Sequence, residues 1–484
     1  MATFRRKLIA CVTQLRLQLQ PVVCAAKRSL FHEWTSSALI LLTVGAGLAQ
    51  SQSPATLTPQ LPLIPERRIV ITDFGAMGDG KTLNTGAFSK AIAACRTAGG
   101  CELHVPAGMF VSGPIEMTSH MALVLEKGAT IRGSEKFSDF DNSASQSKDA
   151  SSTAALNVFT KSKAPSLPLI RAGNLTDVAI RGEGTIDGAG LPWWQRFRAE
   201  RAAGAPQQGQ VPQPGQPTAT PRPRMIWFVG CDRVLVQGVT MKDAPQFHLV
   251  PYLSHEVTIE DVKIISPSDA PNTDGIDPTG SRNVLIRRSF IDVGDDNVSF
   301  KSNPREEPLD NVLVTDCTFK HGHGASVGSN IGGGIRNITV QRCTFENTDN
   351  GIRIKSTRDR GGVVENITYR DLTLKNVGVA ITINLFYFDK TGEQERKAKP
   401  VTATTPIVRN VRIINVTVEG AKTAGEIIGL PEMPVTGVLL DHVRIQAKTG
   451  MTLQDANAVE LREVQITPQT GEPLTIRNAD VTRH

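Results

Sequence analysis

From about residue 174 onward, the polar and apolar positions of the chain fall into one returning pattern: "NVLIRRSFI" (283–291), "NVLVTDCTF" (311–319), "NITVQRCTF" (337–345), "NITYRDLTL" (366–374) and "NVRIINVTV" (410–418). Weaker copies stand at 233–241, 256–264, 437–445 and 458–466. Each copy is two short alternating stretches separated by a two-residue bend. Alternation with period two marks a strand that buries one face. Counted from Val234, Val257, Val284, Val312, Ile338 and Ile367, the steps are 23, 27, 28, 26 and 29 residues. A step of 44 leads to Val411, followed by steps of 27 and 21. A repeat of roughly 20–30 residues made only of short strands is the signature of a solenoid whose turns stack on one another. No helix of ten or more residues fits between the copies, which argues against a leucine-rich or α/β repeat. The expected fold is all-β, a right-handed parallel β-helix.

The pattern changes in three places. "NTGAFSKAIAACRTAGG" (84–100) reads as an amphipathic helix with Ala87, Phe88, Ala91, Ile92 and Cys95 on one face. Asn84 is its candidate cap and Gly99-Gly100 its stop. A solenoid needs its open end covered, and this N-terminal capping helix suits that task. Residues 203–224 are Pro/Gln-rich and are expected to be flexible. Residues 389–406, "DKTGEQERKAKPVTATTP", form a polar loop that accounts for the step of 44. The expected organisation is a leader over 1–49, a linker over 50–66 and one β-helix domain over 67–484.

The 484 residues, 40% of them hydrophobic, suffice for a large core. The formal charge of +6 is concentrated at the start, where Arg5, Arg6, Lys7, Arg16, Lys27 and Arg28 face Glu33 alone. Without these residues about +1 remains, so charge offers no argument for a nucleic-acid partner. The run "SALILLTVGAGLA" (37–49) has signal-peptide length, and Gly47-Leu48-Ala49 fits a cleavage site. A secreted or periplasmic protein is expected, with no membrane association after cleavage, since no later segment has 18 consecutive apolar residues. Five cysteines then remain, an odd number, and Cys95 with Cys101 is the candidate pair. Cys317 and Cys343 take the same inward position in consecutive turns and read as buried small hydrophobes. No metal-ligand spacing is present, so no metal or cofactor is expected. Solenoids of this kind need no partner once both ends are covered, and a monomer is expected.

The repeats gather unusual residues into one place. Ser302, Ser329 and Ser356 are spaced 27 apart, and in that register Asp296, His323 and Asn350 form a column. The preceding turn brings Asp274 to the same column, 22 residues before Asp296. Adjacent strands lie about 4.8 Å apart, so Asp274, Asp295, Asp296 and His323 form a cluster with Arg353 and Lys355 nearby. Alternation from inward Ile352 and Ile354 sends Arg353 and Lys355 outward together, as a basic pair on the solvent face. It cannot send both Asp295 and Asp296 outward, so these two must sit at the turn before their strand. Glycosidic hydrolysis needs one carboxylic acid to protonate the leaving oxygen and one carboxylate to activate water or attack C1. Crowded carboxylates raise one another's pKa, so one can stay protonated while the others ionise. Arg353 and Lys355 would match a negatively charged sugar.

These segments together resemble glycoside hydrolase family 28, the polygalacturonases. The family's four motifs stand in order as "NTDG" (272–275), "GDD" (294–296), "GHG" (322–324) and "RIK" (353–355). The likeness runs from "DFGAMGDGKTLNT" (73–85) through "GTIDGAGLPWW" (184–194) to "ITINLFYFD" (381–389). The resemblance implies that Asp295 is the general acid, and that Asp274 and Asp296 activate the water, with inversion at the anomeric carbon. It implies that His323 supports the acid's protonation, that Arg353 and Lys355 bind a galacturonate carboxylate, that Tyr387 lines the sugar site and that Asn272 orients the cluster. The implied activity is hydrolysis of α-1,4-galacturonide bonds in pectin or polygalacturonate, in the breakdown of cell-wall pectin. The chain departs from the family pattern at Ala325, where a larger apolar residue is usual, and in its long 203–224 insertion, which leaves endo against exo action open. Trp193-Trp194 is a candidate for stacking on a sugar or for core or rim packing.

Other readings keep the β-helix and change the chemistry. A pectate lyase would need calcium on several carboxylates and an arginine base, whereas His323 and the "RIK" pair fit hydrolysis better. A polysaccharide-binding solenoid would not need the aligned aspartates. A hydrolase of decorated pectin, xylogalacturonan or rhamnogalacturonan, is a third alternative, although the complete motif set favours homogalacturonan.

Overall fold

The computed structural model describes residues 55–141, 166–205, 220–387 and 396–484. The expected leader, and parts of both expected insertions, lie outside the described residues. Every pair of named strands is parallel, and successive turns stack to give the right-handed parallel β-helix expected from the sequence. The repeat register is the observed register. Val234, Val257, Val284, Val312, Ile338, Ile367, Val411 and Val438 pair one to the next. The closing step of 21 appears as Ile445 on Ile466.

The recurrent asparagine at the head of each copy has a backbone reason. Asn283, Asn311, Asn337, Asn366 and Asn410 all hold φ between +55° and +60°, a region that Asn enters more readily than bulkier residues do. Their amides also stack. Asn311 Nδ2 donates to Asn283 Oδ1 (2.7 Å), Asn366 Nδ2 to Asn337 Oδ1 (3.1 Å) and Asn410 Nδ2 to Asn366 Oδ1 (3.4 Å). Inside, Ile264, Ile291, Phe319, Phe345, Leu374, Val418 and Ile445 form a continuous ladder. Phe319 and Phe345 meet with ring centroids 4.9 Å apart. Cys317 and Cys343 are buried, each donating to a main-chain carbonyl two residues back.

Helix α1 (Thr85–Thr97) covers the N-terminal end with Phe88, Ala91, Ile92 and Cys95 buried. Asn84 occupies the cap position but does not cap with its side chain. That side chain is buried, accepting from Met77 N and donating to the carbonyls of Met77, Thr82 and Val111. It serves the loop beneath the helix instead. Gly99 and Gly100 end the helix with positive φ, and Cys95 is disulfide-bonded to Cys101 at the start of the strand Cys101–Val105. Cys101→Ser should lower stability by about 2 kcal/mol through loss of this short closed loop. An unchanged urea midpoint would remove the bond from the account of stability.

A second helix, α2 (Leu191–Ala202), was not expected, because its apolar residues keep no single helical face. Trp193 and Trp194 anchor it. Trp193 packs on Phe137 and Phe140, and Trp194 donates to Ala244 O (3.1 Å). Both are buried, so they pack the interior and are closed to a sugar.

Residues 55–66, expected as a linker, lie along the outside of the turns. Ala55 exchanges two hydrogen bonds with the Gln341 amide (2.9 and 3.0 Å), Gln60 N donates to Glu256 (2.8 Å) and Leu63 N to Asp177 (2.9 Å). Five extended residues at about 3.3 Å each match three turns at about 4.8 Å. The strap therefore runs across the strands, bracketing the outward-pointing Leu285 and Leu313, which are nevertheless buried. Among the described residues, no helix is long and apolar enough to cross a membrane.

Candidate active site

The site is built on the outer face of the strand column that contains Val298–Ser302, Ala325–Ile331, Asn350–Lys355 and Val379–Asn384. Its rungs confirm the aspartate column. Ile276 pairs with Val298, and Gly275 N donates to Asp296 O (2.9 Å), which sets Asp274 beside Asp296. Val298 pairs with Ala325 and Ala325 with Ile352, carrying the register of 27 across the next two turns. The serine alignment holds only in part, because a register shift after Phe300 pairs Ser302 with Ile331 rather than Ser329.

Asp295 and Asp296 lie in the bend ahead of the strand Val298–Ser302, as the alternation required. Asp296 is almost fully buried and saturated with donors. It accepts from Lys355 Nζ (2.9 Å), Arg353 Nη1 (3.2 Å), Ser299 Oγ (2.9 Å) and Ser326 Oγ (2.7 Å). Burial opposes its charge, but Lys355 and Arg353 overcome that cost and hold the carboxyl well below its usual value. Asp295 is partly open. Its Oδ1 meets His323 Nδ1 (3.0 Å) and accepts from Asp296 N (2.8 Å), while Asn272 Nδ2 lies 3.4 Å from Oδ2. Burial works to raise Asp295, and the His323 contact together with the charge of Lys355 outweighs it, leaving the carboxyl below its usual value. His323 also faces Asp349 through Nε2 (3.4 Å). The glycines flanking His323 are required by close approach. A Cβ on Gly322 would stand 2.3 Å from Asp295 O, and one on Gly324 2.3 Å from Asn350 O.

Arg353 and Lys355 do point out of the core, yet they are not a solvent face. They are 7% and 6% exposed. Tyr387, from the turn beyond, lies over both (5.1 and 5.3 Å from ring centre to cation), and its hydroxyl accepts from Arg353 Nη2 (3.1 Å). An open cleft of about 570 Å³ is lined by Asn272, Asp274, Asp295, Asp296, Lys355 and Tyr387. Phe197, Arg201 and Phe247 line it as well.

Two charged residues went unnoticed in the sequence. Lys301 Nζ bridges Asp274 Oδ2 (2.9 Å) and Asp277 Oδ2 (2.5 Å). Asp274 Oδ1 and Asp277 Oδ1 are buried with no hydrogen-bond partner. Burial first, then the neighbouring carboxylates, raises Asp274 well above its usual value against the pull of Lys301. Burial pushes Asp277 up to about 6 against the same cation. Burial first, and crowding after it, therefore raises Asp274 and Asp277, whereas Asp295 lies low. The signal for Lys301 was available, since Thr279 pairs with Lys301 in the same offset of 22 that places Asp274.

Asp295, Asp296 and His323 each offer one ligand atom within 4.8 Å of the others. A metal ion there would have to displace Lys355 and Arg353 from Asp296 or sit against their charges, which disfavours the site.

The chain matches the model for glycosyl hydrolases family 28 over residues 95–465. It is 30% identical over 393 residues to a probable polygalacturonase of Vitis vinifera, covering 78% of this chain and 73% of that one. It is 31% identical over 426 residues to an exo-poly-alpha-D-galacturonosidase of Dickeya chrysanthemi, covering 80% and 68%. In fold it is similar to a family 28 exopolygalacturonase of Yersinia enterocolitica, with a TM-score of 0.72 and 23% identity, over 87% of this chain and 78% of the other. With the family model spanning most of the described β-helix and all four clustered motifs, the chain belongs to glycosyl hydrolases family 28 and is a glycosidase.

Proposed function

We propose that this protein hydrolyses α-1,4-galacturonide bonds of polygalacturonate in pectin, with inversion at the anomeric carbon. The carrying observation is the stack of Asp274 and Asp296 across one rung with Asp295 beside them at the cleft. The polygalacturonase relatives from Vitis vinifera and Dickeya chrysanthemi support the substrate class. Asp295 is the general acid, because it is the partly open member and is held by donors that leave it hydrogen-bonded but unsaturated. Its proton passes to the leaving glycosidic oxygen as the C1–O bond breaks. Asp274 and Asp296 hold a water molecule that attacks C1 from the opposite face, and one carboxylate of the pair takes the proton it loses. A polyanionic substrate brings negative charge and excludes water, and both effects raise the Asp295 carboxyl into its acid form. His323 orients Asp295, Asn272 holds its second oxygen, and Lys355, Arg353 and Tyr387 receive a galacturonate carboxylate.

Export through the 1–49 leader is part of the same reading. It is supported by the apolar run at 37–49 and by the Cys95–Cys101 disulfide, a bond that persists in oxidising compartments. The protein acts as a monomer on cell-wall pectin and uses no metal or nucleic-acid partner.

The test is incubation with polygalacturonate and a chelator, following reducing ends and unsaturated products together. New reducing ends without ultraviolet absorbance are expected. Unsaturated products would replace hydrolysis by elimination, and the appearance of neither product would remove polygalacturonate as the substrate.

A further inference from the structure

The 203–224 insertion was expected to be flexible, but its C-terminal end is pinned to helix α2 and to Asn272 beside the carboxylate cluster. Thr220 is held by Glu200 of α2 through its N–H (2.8 Å) and hydroxyl (2.5 Å). Two residues on, Arg222 is 8% exposed and stacks on Phe197 of α2, its guanidinium carbon 4.0 Å from the ring centre. Its Nη1 donates to the carbonyls of Pro245 (3.0 Å) and Pro271 (2.6 Å), and its Nη2 to Asn272 Oδ1 (2.6 Å). The guanidinium thus joins the insertion to two turns of the solenoid and to the first residue of the "NTDG" motif.

The contact with Asn272 has a chemical consequence. A guanidinium can only donate, so Asn272 must present its oxygen to Arg222 and its amino group to Asp295 Oδ2. Reversing that amide would bring Asn272 Oδ1 to the acid, where it would accept the proton meant for the leaving oxygen. With Oδ1 of Asp295 occupied by His323 and by Asp296 N, the acid proton belongs on Oδ2. The Arg222 contact keeps the nearest protein group on that side a donor, leaving the substrate as the acceptor. The charged groups acting on Arg222 are Asp274 and Asp295 from the cluster and Glu200 from α2. Burial pulls the guanidinium down to about 10 against these three carboxylates, and it stays charged at neutral pH.

We propose that Arg222 is a positioning residue for the hydrolysis, fixing the amide of Asn272 so that Asp295 can deliver its proton only to the substrate. This role rests on the functional reading given above. It makes the end of a surface insertion part of the working site, without any contact of Arg222 with the sugar.

Arg222→Leu, Arg222→Lys, Asn272→Ala and the Arg222→Leu/Asn272→Ala double variant are to be assayed on polygalacturonate across pH, beside wild type and Asp295→Asn. Arg222→Leu should lower kcat by about 10- to 100-fold while KM changes by less than about threefold. Its pH–rate bell should move to higher pH by roughly half a unit, because removing a cation raises the carboxyls it faced. Arg222→Lys should keep the wild-type pH profile yet restore only part of kcat, since an ammonium cannot reproduce the planar fork. The double variant should be no slower than the slower single variant, as expected if Arg222 acts through Asn272.

Wild-type kcat and pH profile in a folded Arg222→Leu protein overturn the proposal, as do losses that add in full in the double variant. If Arg222→Leu loses cooperative melting, Arg222→Lys decides, and wild-type kcat in that variant overturns the role. The two readings fail differently. An active wild type, a dead Asp295→Asn and an unaffected Arg222→Leu remove only the role of Arg222. A wild type inactive on polygalacturonate removes the hydrolase reading and the role together.

Discussion

Asp295→Asn should lower kcat on polygalacturonate by about 10²- to 10⁴-fold, the range that loss of a positioned general acid costs, with KM little changed. The substitution keeps the shape of the side chain and an oxygen able to accept from Asp296 N and His323. It removes only the titratable proton. Because Asp295 lies below its usual carboxyl value in the folded protein, its charge stabilises the fold at neutral pH and a small loss of stability is expected. Thermal melting followed alongside the kinetics separates the two effects. A folded Asp295→Asn protein that retains more than about a tenth of wild-type kcat would transfer the acid role elsewhere. Asp274, which the protein already holds high, would be the first candidate.

Lys301→Met should be the most destabilising single change in the site, costing about 3–5 kcal/mol at pH 7, the usual penalty for stranding a buried charge. Lys301 is the cation bridging Asp274 and Asp277, and each carboxylate already has one oxygen without a partner. The pH dependence has a definite sign. Asp277 holds its proton up to about 6 in the folded protein, against about 3.9 in an unfolded chain. Its contribution to stability is therefore complete below the unfolded value and is lost as pH rises through about 6. Asp274 is raised in the same direction. Removing Lys301 raises both further, so the deficit of the variant should narrow as pH falls from about 7 to about 5. Asp296 runs the opposite way, since its lowered carboxyl gives stability that is lost only in stronger acid. Urea midpoints at the two pH values decide the matter. A deficit independent of pH, or none at all, would mean that Asp274 and Asp277 are not stranded as charges.

The parts of this site that were legible in the sequence are those set by stacking. A strand buries alternate residues and a solenoid repeats its turns, so spacing alone placed Asp274, Asp296 and His323 in neighbouring turns, and the bend before Val298 followed from a conflict of alternation. Burial of Arg353 and Lys355 was not legible, because the ring covering them is Tyr387, which lies on another turn more than thirty residues along. Lys301 was hidden by a different limit. Its partners stand one turn back, and only the column through Thr279 shows it. Arg222 was missed because composition describes a segment as a whole, whereas the end of that segment is held by three hydrogen bonds from one side chain. Helix α2 escaped for want of an amphipathic face, since its buried residues are two adjacent tryptophans.

The strap over residues 55–66 reverses the order in which this protein can be finished. Its first anchor, Ala55, is made early in synthesis, but its partner Gln341 lies 286 residues later. The intervening turns can form one upon another as they emerge, each needing only its neighbour. The strap cannot close until the turn carrying Gln341 is complete. The earliest part of the described chain thus docks fully only after the turns from Glu256 to Gln341 have formed.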